Sequence, residues 1–292
     1  MLPIHILGSG AMACLWASYF NDQYQVNFIR RTSHKKEFNF VVKPSNQTVK
    51  GSAFTANSLI NPIERLIVAT KAFDAQLAIR SVQHQLSENA QIILLQNGMG
   101  SQQRIAEEFS QYAVYACSST EGAYKIDAQT LMHAGKGTNH IGAMNNKALQ
   151  DQLALWLPDQ HYQWHEDIEP ILWKKLIINC AINPLTLIYN CQNGELLKQP
   201  HIKKHMDSIC HELDQLLERM PFNLPPAFEL AIDICQQTAN NFSSMYQDGK
   251  HSNPTEIDFI TGYVVEKCQE SSIDCPENLK LLRLVKKLNL GP

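Results

Sequence analysis

The sequence predicts an α/β protein, with an N-terminal doubly wound parallel sheet over residues 1–166 and an all-helical domain over residues 167–292. Three observations predict it. Short apolar runs alternate with helix-period stretches through the first half, the alternation that builds right-handed βαβ units. A glycine-rich turn follows the first of those runs directly. From Ile168 onward the chain carries helix-period stretches and almost no strand signal.

Residues 4–7, 25–30, 66–70, 91–96 and 113–117 read as strands. They are short and mostly rich in β-branched or aromatic side chains, as strands buried on both faces are. Helices are expected between them, for example over 12–20 and 74–86. Residues 130–133 and 140–144 read as a late hairpin that extends the sheet. In the second half, amphipathic helices are expected over 171–182, 202–220, 227–241, 256–271 and 278–288. Pro184, Pro200, Pro221, Pro225, Pro226, Pro254 and Pro276 mark the expected breaks.

Composition narrows the function classes. Hydrophobic residues make up 44% and charged residues 18%, enough to fill a core. A formal net charge of −3 gives no global basic surface, which argues against a nucleic-acid partner, whose backbone needs Lys and Arg to neutralise phosphates. No apolar run approaches the roughly 20 residues that span a bilayer. The start, Met1-Leu2-Pro3-Ile4-His5, has neither a basic region nor a cleavage-type site. A cytoplasmic protein without membrane association is expected. The eight cysteines form no C-x-x-C pair and read as reduced thiols. No His/Cys cluster has metal-ligand spacing, so no metal is expected.

Gly8-Ser9-Gly10-Ala11-Met12-Ala13 is a G-x-G-x-x-A turn between a strand and a helix. In a Rossmann-type sheet the first glycine makes the tight turn and the second lets a pyrophosphate approach the backbone. The small third residue packs the helix on the strand. The helix N-terminus then presents N–H groups to the phosphates. The alternative is a glycine turn without a ligand, which the strand–turn–helix context disfavours. At the end of the second strand an NAD enzyme usually carries an acid for the ribose 2′-OH. Here stand Arg30-Arg31-Thr32-Ser33-His34-Lys35-Lys36. A guanidinium can grip a 2′-phosphate, so the sequence favours NADPH over NADH, against the alternative of a solvated basic loop.

Lys71 and Asn97 follow the third and fourth expected strands, at the sheet edge where ligands bind in open α/β folds. Lys71 can meet a phosphate or a carboxylate, while Asn97-Gly98 can also be a simple turn. Lys175, Asn179 and Asn183 recur at i, i+4 and i+8, one stripe on an otherwise apolar helix. Burying such a row costs free energy unless each group finds a partner, and a 2-oxo acid would supply them. A partly exposed polar stripe is the alternative. For Glu256 the competing role is to sit at a helix N-terminus and favour its dipole.

These segments together resemble the ketopantoate reductase (2-dehydropantoate 2-reductase) family. The matching residues are the glycine turn, Arg31, Lys71-Ala72, Asn97-Gly98-Met99-Gly100, residues 173–185, Asn190-Cys191-Gln192-Asn193-Gly194-Glu195-Leu196, Ser243-Ser244-Met245 and Thr255-Glu256-Ile257-Asp258. The resemblance implies that Lys175 is the general acid. It implies that Asn97, Asn179, Asn183, Asn193 and Ser244 bind substrate. It places Arg31, Lys71, Asn97, Glu256 and, by a looser match, Ala123 on the cofactor. It also implies NADPH, a small branched 2-oxo acid and a place in pantothenate and coenzyme A synthesis. Thr261 stands where the family commonly has Asn. The residues alone leave open a reductase of another 2-oxo acid or a non-catalytic NADPH-binding sensor. They also leave oligomeric state open, a homodimer included.

Overall fold

The computed structural model describes residues 3–32, 37–59, 62–150, 156–157 and 161–289. The chain divides into two compact units. One comprises residues 1–96 and 101–168, the other residues 97–100 and 169–292.

The first unit begins with β1 (Pro3–Leu7), α1 (Ala11–Phe20) and β2 (Gln25–Ile29), a βαβ crossover around the glycine turn. Three short strands follow, β3 (Phe40–Lys43), β4 (Gln47–Val49) and β5 (Gly51–Phe54). Then come β6 (Ile63–Val68), α2 (Ala72–Val82), β7 (Leu86–Leu94), α3 (Ser101–Glu108) and β8 (Ala113–Ser119). The unit closes with β9 (Gly122–Lys125), β10 (Thr130–Gly135), β11 (Asn139–Ala143), α4 (Asn146–Gln150) and β12 (Gln163–His165). Eight strands form one sheet in the order β12-β11-β8-β7-β6-β1-β2-β5. Its pairings from β8 to β5 are all parallel, and β11 runs antiparallel to β8. The central strands are apolar on both faces because helices cover both.

Two expectations fail here. Residues 130–133 and 140–144 do not form a hairpin. β11 joins the large sheet, whereas β10 pairs with β3 and β9 in a second sheet of order β4-β3-β10-β9. The small strands β3, β4, β5, β9 and β12 are absent from the expected set. The second sheet packs on α1, which also touches β1 and β2. That double cover explains why α1 buries Ala13, Cys14, Leu15, Trp16, Ala17, Ser18 and Phe20, almost its whole circumference.

The second unit is built on α5 (Glu169–Ile188), with α6 (Pro200–Leu217), α7 (Ala227–Gln237), α8 (Ser244–Lys250), α9 (Thr261–Glu270) and α10 (Pro276–Asn289). Helix α5 packs against α6, α7, α8 and α10. Pro184 does not break it, contrary to expectation. A proline inside a helix removes one backbone hydrogen bond, at a cost of about 3 kcal/mol. Burial of Cys180, Ala181, Ile182, Leu185 and Thr186 around it outweighs that cost. At 20 residues α5 is also long and apolar enough to cross a bilayer by length and composition, so the expectation of no such run needs correcting. Most of it is buried within this unit, as the core helix of a bundle is. The helix expected from residue 256 starts at Thr261. Residues Ile257–Phe259 form a 3-10 turn, and Ile260 leaves helical geometry with φ −103° and ψ −89°.

Candidate active site

In the first unit the glycine turn has the form a dinucleotide needs. Gly8 adopts φ +101°, where an L side chain is strained, and a Cβ there would sit tightly, 3.1 Å from the carbonyl oxygen of Ala69. Gly10 is different. Its φ is −69°, and a Cβ would meet nothing within 4 Å, which leaves open space over the backbone. Gly10 starts α1 with no side-chain cap and no acid in the first turn. The N–H groups of the first turn therefore keep their capacity for an anion. Ser9 accepts a long contact from the Cys14 thiol at 3.8 Å, Ala11 and Met12 are half-buried, and Ala13 packs in the core.

Arg31 and Lys71 both come to the first turn of α2. Lys71 is its N-cap, and its carbonyl accepts from the Asp74 N–H at 3.0 Å. The Arg31 guanidinium, 81% exposed, lies 2.5 Å from the Asp74 carboxylate. Asp74 was not among the expected site residues. Ser33, His34, Lys35 and Lys36 of the basic segment lie outside the described residues. Ala123 sits on β9 and packs against the core around α1.

In the second unit the stripe on α5 grades from half-buried to buried. Lys175 and Asn179 are half-buried, and Asn183 is 6% exposed. Asn97 and Glu256 meet: the Asn97 amide donates to the Glu256 carboxylate at 3.4 Å, and the Met99 N–H donates to the Phe259 carbonyl at 2.8 Å. Gly98 makes that docking feasible. Its φ is +78°, and a Cβ would lie 2.2 Å from the Phe259 oxygen. Glu256 is 5% exposed and precedes the 3-10 turn, so it does not sit inside a helix.

Asn193 is 7% exposed and opens a 3-10 turn over Asn193–Leu197. Its amide nitrogen donates to Thr238 Oγ1 at 2.8 Å, while its buried Oδ1 has no partner among the described residues. Ser244, by contrast, is exposed on the first turn of α8. Its neighbour Ser243 does the structural work. Ser243 Oγ accepts from the Tyr246 N–H at 3.0 Å and shares a hydrogen bond with Thr186 Oγ1 at 2.7 Å, which ties α8 to α5. The S-S-M-Y pattern carries that N-cap signal. Thr261 is fully buried and takes a 3.5 Å hydrogen bond from Cys180, whose thiol also reaches Asn278 Oδ1 at 3.2 Å. Burial pushes the Cys180 thiol up to about 12, so it stays neutral beside the stripe. A surface concavity of about 570 Å³ lined by Glu212, Arg219 and Asp274 contains none of the candidate residues. Among the described residues no group of three His, Cys, Asp or Glu is placed to hold a metal.

Chemically, the first unit offers a phosphate cradle. The second offers one ammonium group, several amides and a carboxylate on an apolar scaffold. Two family models match the chain. One, described as ketopantoate reductase PanE/ApbA, matches residues 4–146, and its C-terminal counterpart matches residues 167–289. A 2-dehydropantoate 2-reductase of Yersinia pestis is 31% identical over 98% of this chain and 95% of its own. Among solved structures, a PanE/ApbA family ketopantoate reductase from Ralstonia eutropha JMP134 superposes with a TM-score of 0.86 at 22% identity, covering 99% of this chain and 98% of that one. A D-mandelate dehydrogenase solved with NADH and anilino(oxo)acetate shares the fold, with a TM-score of 0.84 at 20% identity over 99% and 98% of the two chains.

Proposed function

The chain belongs to the ketopantoate reductase family, and from that premise we propose that it reduces 2-dehydropantoate to pantoate with NADPH, using Lys175 as proton donor. The observation that carries this reading is the row Lys175, Asn179 and Asn183 along α5, half-buried to buried in an otherwise apolar helix.

The residues present fit a dinucleotide. The positive-φ turn at Gly8 and the open space over Gly10 suit a pyrophosphate held by Gly8, Ser9, Gly10, Ala11, Met12 and Ala13. Arg31 and Lys71 would read the 2′-phosphate, and Ala123, Asn97 and Glu256 would hold the remainder. When bound, NADPH supplies the hydride. The rest is the work of the chain. As the ketone carbon is reduced, negative charge builds on its oxygen. The Lys175 ammonium stabilises that charge and delivers the proton. Asn97, Asn179, Asn183 and Ser244 would donate to the substrate carboxylate and orient it. The unpartnered Asn193 Oδ1 suits a substrate hydroxyl. This activity would serve pantothenate and coenzyme A synthesis in the cytoplasm.

The test is NADPH oxidation with 2-dehydropantoate, run beside NADH and a panel that includes aryl 2-oxo acids. NADPH-specific turnover of 2-dehydropantoate supports the reading. Faster turnover of another acid would keep the reaction and move the substrate. NADPH binding without turnover of any acid would overturn the enzyme reading in favour of a sensor.

A further inference from the structure

Arg30 and Lys125 share one aromatic ring in the first unit. The Arg30 guanidinium carbon lies 5.3 Å from the centre of Phe38, and Lys125 Nζ lies 5.4 Å from it. Arg30 follows the last residue of β2, and Lys125 ends β9. The ring therefore links the ligand-binding end of the large sheet to an edge of the small one. Both cations thus lie against the same ring. Among the described residues neither makes an ion pair with a carboxylate. Arg31 differs, because Asp74 already balances its charge.

The Cys14 thiol reports the same field. Burial pushes it up to about 11, and Lys125 and then Arg30 pull against that rise. Cys14 lies on α1 with its sulfur 3.8 Å from the Ser9 carbonyl of the glycine turn. Both cations thus act on α1, the helix that the glycine turn opens. Two cations braced on one ring without a carboxylate partner among the described residues, one of them adjacent to Arg31 in sequence, have an anion as their natural complement.

We propose that Arg30 and Lys125, braced on Phe38, form a cationic clamp for the 2′-phosphate of the dinucleotide and so share the NADPH-over-NADH choice with Arg31. This rests on the dinucleotide reading above. The phosphate is the group that distinguishes the two dinucleotides, so the clamp predicts an effect confined to one of them.

The test is direct binding by calorimetry, without turnover, on the full chain. Wild type, Arg30→Met and Lys125→Met are titrated with NADPH, NADH, 2′,5′-ADP and 5′-ADP, and thermal midpoints confirm folding. Each variant is expected to lose about tenfold or more in affinity for NADPH and 2′,5′-ADP. NADH and 5′-ADP should be unaffected, and Lys125→Arg should restore the loss at Lys125. Unchanged NADPH affinity would overturn the clamp. So would equal losses for NADPH and NADH, which would mark a pyrophosphate contact or a structural role. If wild type binds neither dinucleotide, the dinucleotide reading itself falls and the clamp with it.

Discussion

Consider Gly98→Ala, which acts on the docking of residues 97–100 within the helical unit. The φ of +78° alone costs an L-residue about 1–2 kcal/mol. The new Cβ would lie 2.2 Å from the Phe259 oxygen and 2.6 Å from its carbonyl carbon, whereas carbon contacts normally sit at about 3.5–4.0 Å. The obstacle is backbone, so the segment must withdraw by about 1 Å. Withdrawal breaks the 2.8 Å Met99–Phe259 hydrogen bond, worth about 0.5–1.5 kcal/mol net. Together these predict a loss of about 1.5–3.5 kcal/mol. The 3.4 Å contact between Asn97 and Glu256 parts as well, so substrate KM and cofactor affinity should both worsen. Gly98→Asn should fare no better. Asn tolerates this φ but meets the same carbonyl. Urea unfolding by linear extrapolation and steady-state kinetics provide the readouts. A Gly98→Ala protein within about 0.5 kcal/mol of wild type and with unchanged kinetics would refute the reasoning.

Three further outcomes are expected. Gly10→Ala meets no atom within 4 Å, so stability should change by no more than about 1 kcal/mol while dinucleotide affinity falls; unaltered affinity in a titration would remove the pyrophosphate from that space. Lys175→Ala should lower kcat by about 10²–10⁴-fold with little change in NADPH affinity, and full turnover would dismiss Lys175 as proton donor. His5, buried on β1, has its pKa lowered by burial to about 4. Above its ordinary value of 6.5 both folded and unfolded chains carry it neutral, so stability is flat there. As pH falls from 6.5 towards 4 the unfolded chain takes up a proton that the folded chain refuses, and stability drops by up to about 1.4 kcal/mol per pH unit. His5→Val should flatten that slope in pH-dependent unfolding, and equal slopes would acquit His5.

What was legible in the sequence depended on near neighbours along the chain. The five parallel strands, the glycine turn and α5 with its polar stripe follow from periodicity and turn chemistry within a few residues. Gly8 and Gly10 were both readable as parts of a motif. Only the structure separates them, since a Cβ would crowd Ala69 at Gly8 and meet open space at Gly10. The small sheet was not legible, because β10 finds its parallel partner in β3, far back in the chain, and its strands are short. Pro184 reads locally as a break, yet packing from four helices keeps α5 continuous through it. The meeting of Asn97 with Glu256 spans 159 residues of sequence, and no local pattern encodes it. Local propensity is a matter of fractions of a kcal/mol per residue, so it sets element type where nothing opposes it. Pairing, burial and the assembly of the candidate site are decided by which distant surfaces exclude water from one another, and that exists only in the folded chain.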